Sequence, residues 1–192
     1  EIRAMKGVRL DMAEVELETP VTETEIRELD AGDKIRLSGE LYTARDAAHE
    51  RLVDALNQGK DLPFDLKGSA LYYVGPAPAK PGEVIGSAGP TTSYRMDPFT
   101  PQLLKNGLKI MIGKGDRNQA VIESMKEEGA VYLAATGGAA ALISERIKEM
   151  EVIAYPDLGT EAVRRLVVEE LPLICVIDST GKNLYNRKCN YY

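Results

Sequence analysis

The sequence predicts a mixed α/β domain, on three observations. In the first half, apolar and polar residues alternate in short runs, as half-buried strands require. From Leu108 onward, short apolar runs take turns with helix-like segments, a β-α-β-α-β rhythm that implies parallel pairing through helical crossovers. Glycine, often beside proline or asparagine, closes many of these runs.

In order, Val15 to Glu18 alternates and reads as a first strand, and Thr22 or Thr24 caps a short helical turn ending near Gly32. Lys34 to Tyr42 alternates strongly, with Ile35, Leu37 and Leu41 apolar, and predicts a half-buried strand. Residues 43–46 turn into a helix running to about Asn57. Its stripe is Ala47, Ala48, Leu52, Val53 and Leu56, and Gly59 suits its C-terminal cap. Residues 61–67 read as loop. Ala70 to Val74 is a strand stopped by Gly75-Pro76, and residues 77–81 are proline-rich and exposed by composition. Phe99 to Leu104 predicts a helix closed by Asn106-Gly107. Leu108 to Ile112 is a strand, with a turn at residues 113–116 and a helix to Glu128 that Gly129 ends. Val131 to Ala135 is the next strand, Thr136-Gly137-Gly138 opens a helix through Ile147, and Val152 to Tyr155 is a further strand. Val163 to Val168 suits a strand or a helix. Leu173 to Ile177 is a strand, and residues 178–181 form a hairpin turn returning through Leu184-Tyr185.

A length of 192 residues suits one domain, expected over residues 13–192. Met12 is a natural start, so residues 1–12 are expected to be a non-native or flexible extension. Apolar residues at 44% and charged residues at 28% are enough to build a core under a soluble surface. Against 24 basic residues stand 30 acidic ones, and a net charge of −6 argues against a nucleic-acid or anionic-membrane surface. That total leaves room for a small basic pocket. Cys175 lies in the apolar run Leu173 to Ile177 and reads as a packed thiol; Cys189 lies near the C-terminus. Two cysteines make no disulfide framework, which fits a reducing cytoplasm. With His49 as the lone histidine, no zinc site has ordinary spacing, and an iron–sulfur cluster needs more thiolates than this chain has. The uncharged stretch Ala130 to Ile143 is too short to span a bilayer, and no signal-peptide pattern is present.

Residues 89–97, Gly-Pro-Thr-Thr-Ser-Tyr-Arg-Met-Asp, carry three adjacent hydroxyls, a guanidinium and a carboxylate, without apolar periodicity. Small residues after Gly-Pro expose backbone N–H groups, and Arg95 can fork onto a carboxylate or phosphate, so the stretch reads as an anion site. It also reads as a loop in which Asp97 caps the next helix. Arg45 follows a strand and opens a helix, where a positive charge opposes the helix dipole and an anionic ligand would justify it. Solvation, or pairing with Asp46 or Glu50, also accounts for it. Lys114 stands between two glycines after an apolar strand, so backbone and charge could both approach a ligand. It equally fits an ordinary Gly-rich turn, and the dinucleotide and Walker patterns are absent. Thr136-Gly137-Gly138 offers free N–H groups at a helix start, or simply close packing. His49, one turn beyond Arg45, either orients a site residue or is structural.

Six stretches in order carry a family resemblance: residues 45–49 (Arg-Asp-Ala-Ala-His), 72–76 (Tyr-Tyr-Val-Gly-Pro), Gly-Pro-Thr-Thr with Arg-Met-Asp in 89–97, 113–115 (Gly-Lys-Gly), 137–140 (Gly-Gly-Ala-Ala) and 158–162 (Leu-Gly-Thr-Glu-Ala). Over about residues 13–187 the chain resembles the β subunit, or C-terminal part, of the iron–sulfur-dependent hydro-lyases of the class I fumarase and L(+)-tartrate dehydratase type. Ala44 departs from the glycine that many members have there. The resemblance implies a swivelling β/β/α three-layer domain with a mixed sheet. It implies a tricarboxylic-acid-cycle lyase in the cytoplasm, hydrating fumarate reversibly to L-malate in an α2β2-like hetero-oligomer. A partner α subunit would hold the 4Fe-4S cluster through its own cysteines, leaving this chain inactive alone. It further implies that Thr91 is the catalytic base and that Arg45, Arg95 and Lys114 bind the dicarboxylate. The alternatives are an L(+)-tartrate dehydratase β subunit and a non-catalytic dicarboxylate-binding module. No residue here decides between the two substrates.

Overall fold

The computed structural model describes residues 14–135 and 140–186. The expected N-terminal extension, the glycine pair at 137–138 and Cys189 lie outside the described residues. Seven strands form one sheet: β1 (Glu14–Thr19), β2 (Lys34–Thr43), β3 (Ala70–Tyr72), β4 (Ile110–Gly113), β5 (Val131–Ala135), β6 (Ile147–Ala154) and β7 (Val163–Ile177). Five helices accompany them: α1 (Glu23–Glu28), α2 (Asp46–Asn57), α3 (Thr100–Lys105), α4 (Gln119–Glu128) and α5 (Ala140–Arg146). The strand order is β1-β2-β3-β4-β5-β7-β6, and β7 also pairs with β2, so β2, β3, β4, β5 and β7 close into a ring. β1 through β5 run parallel, and β7 runs antiparallel to β2, β5 and β6.

Alternation explains the two cores. Ile35, Leu37, Tyr72, Ile110, Ile112, Val131, Leu133, Leu171 and Leu173 project into the ring. The intervening Leu71, Tyr73, Met111 and Tyr132 project outward, where Leu52 of α2, Leu103 and Leu104 of α3 and Met125 of α4 cover them. Burial at this scale contributes about 25 cal/mol per Å² of apolar surface removed from water. The caps follow the sequence where side-chain chemistry decides them. Thr22 and Glu25 form a reciprocal capping box on α1, Asn118 accepts from the Val121 N–H at the start of α4, and Gly129 ends α4 at φ 62°.

Three expectations are corrected. The β-α-β-α-β run keeps its parallel pairing only from β4 to β5. After α5 the chain enters β6, which pairs antiparallel with β7 instead. The N-terminal half of β7 extends past the pairing with β5 and offers β6 an unoccupied edge. Second, Val163 to Val168 is neither a helix nor a separate strand. It is continuous with Leu173 to Ile177 as one 15-residue strand. The acidic pair Glu169-Glu170 that interrupts the apolar pattern is a bulge: Glu170 sits at φ 47°, the register with β2 shifts there, and the Glu170 N–H donates to Ser38 Oγ. Third, the return through Leu184-Tyr185 is one bridge, Ile177 to Asn183, followed by a 3-10 turn at Leu184–Asn186.

Candidate active site

Arg45, Thr91 and Lys114 lie on loops beyond the C-terminal ends of parallel strands, and Arg95 lies in the 3-10 turn Ser93–Met96 that follows Thr92. Ligands of open α/β sheets gather at such ends because several loops converge there. Arg45 leaves β2 as the N-cap residue of α2, with no side-chain cap bond, and the neighbouring Ala44 N–H donates to Tyr72 O (3.2 Å). The 89–95 loop is stitched across the next two strand ends. Thr91 N–H donates to Tyr73 O (2.7 Å), Thr92 bridges Lys114 in parallel register, and Ser93 N–H donates to Lys114 O (2.9 Å). Thr91 therefore sits beside the end of β3, and Lys114 beside Thr92. Lys114 and Arg95 are exposed, whereas Thr91 is half-buried.

Beneath this rim lies a closed polar floor. Tyr132 OH donates to Gly115 O (3.0 Å), so its oxygen takes the Ser93 hydroxyl at 2.7 Å. Gly113 must lack a side chain, because a Cβ there would run into Ser93 Oγ and the Tyr73 ring. Arg117 is fully buried. Its Nε pairs with Asp97 Oδ1 at 2.6 Å and its Nη2 donates to Thr100 Oγ1 at 2.8 Å, while Nη1 meets Tyr73 OH and Met111 Sδ at 3.4 Å. The guanidinium lies over the Tyr73 and Tyr132 rings at 5.3 and 5.1 Å. Burial opposes the Arg117 charge, yet Tyr73 and Asp97 hold it above the ordinary arginine value. Burial also pushes the Tyr132 phenol up.

Hydrogen bonds are missing at the rim instead. Among the described residues, four buried side-chain polar atoms have no hydrogen-bond partner, and three lie at the start of α2: Arg45 Nε, Asp46 Oδ1 and His49 Nε2. Arg45 Nη2 reaches Glu161 Oε1 at 3.1 Å and Asp46 Oδ1 at 3.6 Å. Arg95 lies in the field of the same carboxylates. Tyr94 first, then Asp46 and Glu161, raise its guanidinium above the ordinary value. Asp46 and Glu161 thus act on both arginines, on Arg45 as ion pairs and on Arg95 through longer-range charge. His49 donates from Nδ1 to Arg45 O (2.9 Å), since a carbonyl can only accept. Burial, the largest cause, lowers its pKa to about 4, so the ring is neutral with a bare Nε2.

The structure joins Thr92 and Ser93 to Lys114 through backbone pairing and sets Arg45 against Glu161 and Asp46. It corrects the role expected of Asp97. Asp97 does not cap α3, whose N-cap is Phe99 without a side-chain bond. Its carboxylate binds Arg117 and accepts the Asn118 N–H at 2.8 Å, serving the start of α4 instead. Arg117, Tyr132 and Glu161 were not picked out by sequence reasoning. Arg117 lies two residues beyond the Gly-Lys-Gly turn, but nothing local marks an arginine as buried. A cleft of about 580 Å³ between residues 77–87 and the α5–β6 corner holds none of the four predicted residues.

Fold and rim define an α/β domain with Arg45, Arg95 and Lys114 placed beyond the ends of its parallel strands. The family described as Fumarase C-terminus matches residues 2–188, and the chain belongs to that family. Fumarate hydratase class I, aerobic, of Escherichia coli (strain K12) is 35% identical over 177 residues, covering 90% of this chain and 32% of that protein. Fumarate hydratase 2 of Leishmania major is 35% identical over 177 residues, covering 90% and 31%. A Methanocaldococcus jannaschii protein provisionally named L(+)-tartrate dehydratase subunit beta is 37% identical over 171 residues, covering 86% of this chain and 88% of that protein. The chain spans about a third of the length of the fumarate hydratases it matches.

The donor set does not suit an iron–sulfur cluster. Among the described residues no group of three or more His, Cys, Asp or Glu is placed to hold a metal ion. Cys175 is buried, and burial pushes its thiol pKa up.

Proposed function

We propose that this chain is the β subunit of a fumarate hydratase, a hydro-lyase interconverting fumarate and L-malate together with a cluster-bearing α subunit. What supports the reading is the placement of these residues at neighbouring strand ends: Arg45 follows β2, Thr91 N–H is bound to Tyr73 O just past β3, and Lys114, directly after β4, is bridged to Thr92. Thr91 is the base, and Arg45, Arg95 and Lys114 hold the dicarboxylate. In the dehydration direction Thr91 Oγ takes a proton from carbon, the C–H electrons build up toward the adjacent carboxylate, and hydroxide leaves the neighbouring carbon. The cations stabilise that carboxylate charge, and they lower the cost of an alkoxide at Thr91. We assign the 4Fe-4S cluster of the class I enzymes to the partner, in an α2β2-like assembly in the cytoplasm. We read the closed sheet with its outer helices as a swivelling β/β/α domain, comprising residues 13–192.

Co-expression with the α subunit under anaerobic conditions tests this. The complex is expected to hydrate fumarate while the β chain alone is inactive; full iron-independent fumarase activity of the isolated chain overturns the reading. The match over 88% of the length of the tartrate dehydratase relative supports a second reading, an L(+)-tartrate dehydratase β subunit. A preference of the complex for L-tartrate over L-malate decides for it. A dicarboxylate-binding complex that turns over neither substrate is the third outcome, a non-catalytic module.

A further inference from the structure

Glu161 ends the 3-10 turn Pro156–Glu161, between β6 and β7. The turn is held from several sides. Arg164 donates Nη1 to Thr160 O (2.9 Å) and Ala162 O (3.0 Å), and Nη2 to Gly159 O (2.8 Å), so one guanidinium gathers the carbonyls on both sides of Glu161. Arg51 forks onto Asp157 at 2.9 and 2.6 Å, tying the turn to α2. Arg164 N–H donates to Thr43 Oγ1, which donates in turn to Ala162 O, tying it to the end of β2. The Glu161 carboxylate is thus presented from a fixed backbone. Its Oε1 lies 3.1 Å from Arg45 Nη2, closer than the 3.6 Å of Asp46. Gly75 lies against the same arginine: a Cβ there would stand 3.2 Å from both Arg45 Cδ and Thr160 O.

A carboxylate beside dicarboxylate-binding cations weakens ground-state attraction of the dianion, so electrostatic binding alone does not explain it. Orientation does. A free arginine side chain samples many rotamers, and pinning one nitrogen fixes the plane of the remaining donors. We infer that Glu161 is a positioning residue: it pins Arg45 Nη2 so that the guanidinium plane is fixed and its remaining accessible N–H groups are aimed at the substrate carboxylate. It acts through Arg45 and does not touch substrate. This rests on the dicarboxylate reading of the site.

The test uses the assembled complex with Glu161→Gln and Glu161→Asp, reading kcat and KM for the better of fumarate and L-tartrate, and calorimetric binding of succinate, a non-reacting dicarboxylate. Glu161→Gln is expected to lower kcat on the order of 10- to 100-fold through misorientation. KM and the succinate Kd hold or fall, because the Arg45 charge is no longer balanced. Glu161→Asp, which keeps the charge, recovers part of kcat. A kcat within about twofold of the unsubstituted complex overturns the inference. So does a kcat loss matched by an equal rise in KM and succinate Kd, or one that follows a lowered melting temperature in both variants. An unsubstituted complex with no turnover of either substrate overturns instead the reading on which the inference rests.

Discussion

Two arginines a few residues from strand ends behave in opposite ways. Arg117, on the floor, is fully buried, with Asp97, Thr100 and Tyr73 taking its donors and two aromatic rings below its plane. Arg45, on the rim, is about one-fifth exposed and keeps a buried Nε with no partner. A saturated guanidinium has nothing left to offer a ligand and serves as scaffold; an unsaturated one retains hydrogen-bonding capacity at a cost to the free domain. The difference separates what holds the site from what the site can hold.

Thr91→Ala should break the rim most severely. Removing the proposed base is expected to lower kcat of the complex about 10²- to 10⁴-fold with little change in succinate affinity. Unchanged turnover would remove Thr91 as the base. The floor should fail in stability. Arg117→Met leaves the Asp97 carboxylate buried and uncompensated, and urea unfolding should show a loss of about 3–5 kcal/mol, much of it recovered in Arg117→Met/Asp97→Asn. Arg45→Met should do the reverse, with near-unchanged unfolding and a KM raised about tenfold or more through loss of charged hydrogen bonds. If the two arginine variants show the same pattern, the floor–rim distinction collapses.

His49 lies between the two regions and gives a pH signature. Its folded pKa of about 4 is below the unfolded value of 6.5, so between those values the unfolded chain binds the extra proton. The stabilising contribution is full above pH 6.5 and is lost as pH falls to about 4, on the order of 3 kcal/mol in total. His49→Asn should flatten the unfolding midpoint in that window relative to the unsubstituted chain. Equal slopes would mean that His49 stays protonatable in the fold. The smallest effect should come from Arg51→Ala. Its pair with Asp157 is exposed on both sides, so the melting temperature should stay within error. A measurable drop would show that the Glu161 turn depends on that tie.

Much of this was legible in sequence because it is local. Alternation in Lys34 to Tyr42 gave β2, the stripe from Ala48 to Leu52 gave α2, and Asn118 and Gly129 bound α4. What was not legible is long-range. Nothing around Glu169-Glu170 separates a bulge from a strand break; pairing with Ser38 and Leu171 with Leu37 decides it. Asp97 has the chemistry of a cap, and only the approach of Arg117 from 20 residues away redirects it. Among three consecutive hydroxyls, Ser93 is claimed by Tyr132, a distinction that depends on a strand 39 residues distant. Arg45 and Glu161 meet only because the sheet brings the end of β2 against the turn before β7.

The pairing of β7 with β2 has a mechanical consequence. It turns a row of strands into a hoop, so the loops after β2, β3 and β4 and the turn before β7 are mounted on one frame. Any displacement of that frame carries Arg45, Thr91, Arg95, Lys114 and Glu161 as a unit, and their mutual spacing is kept.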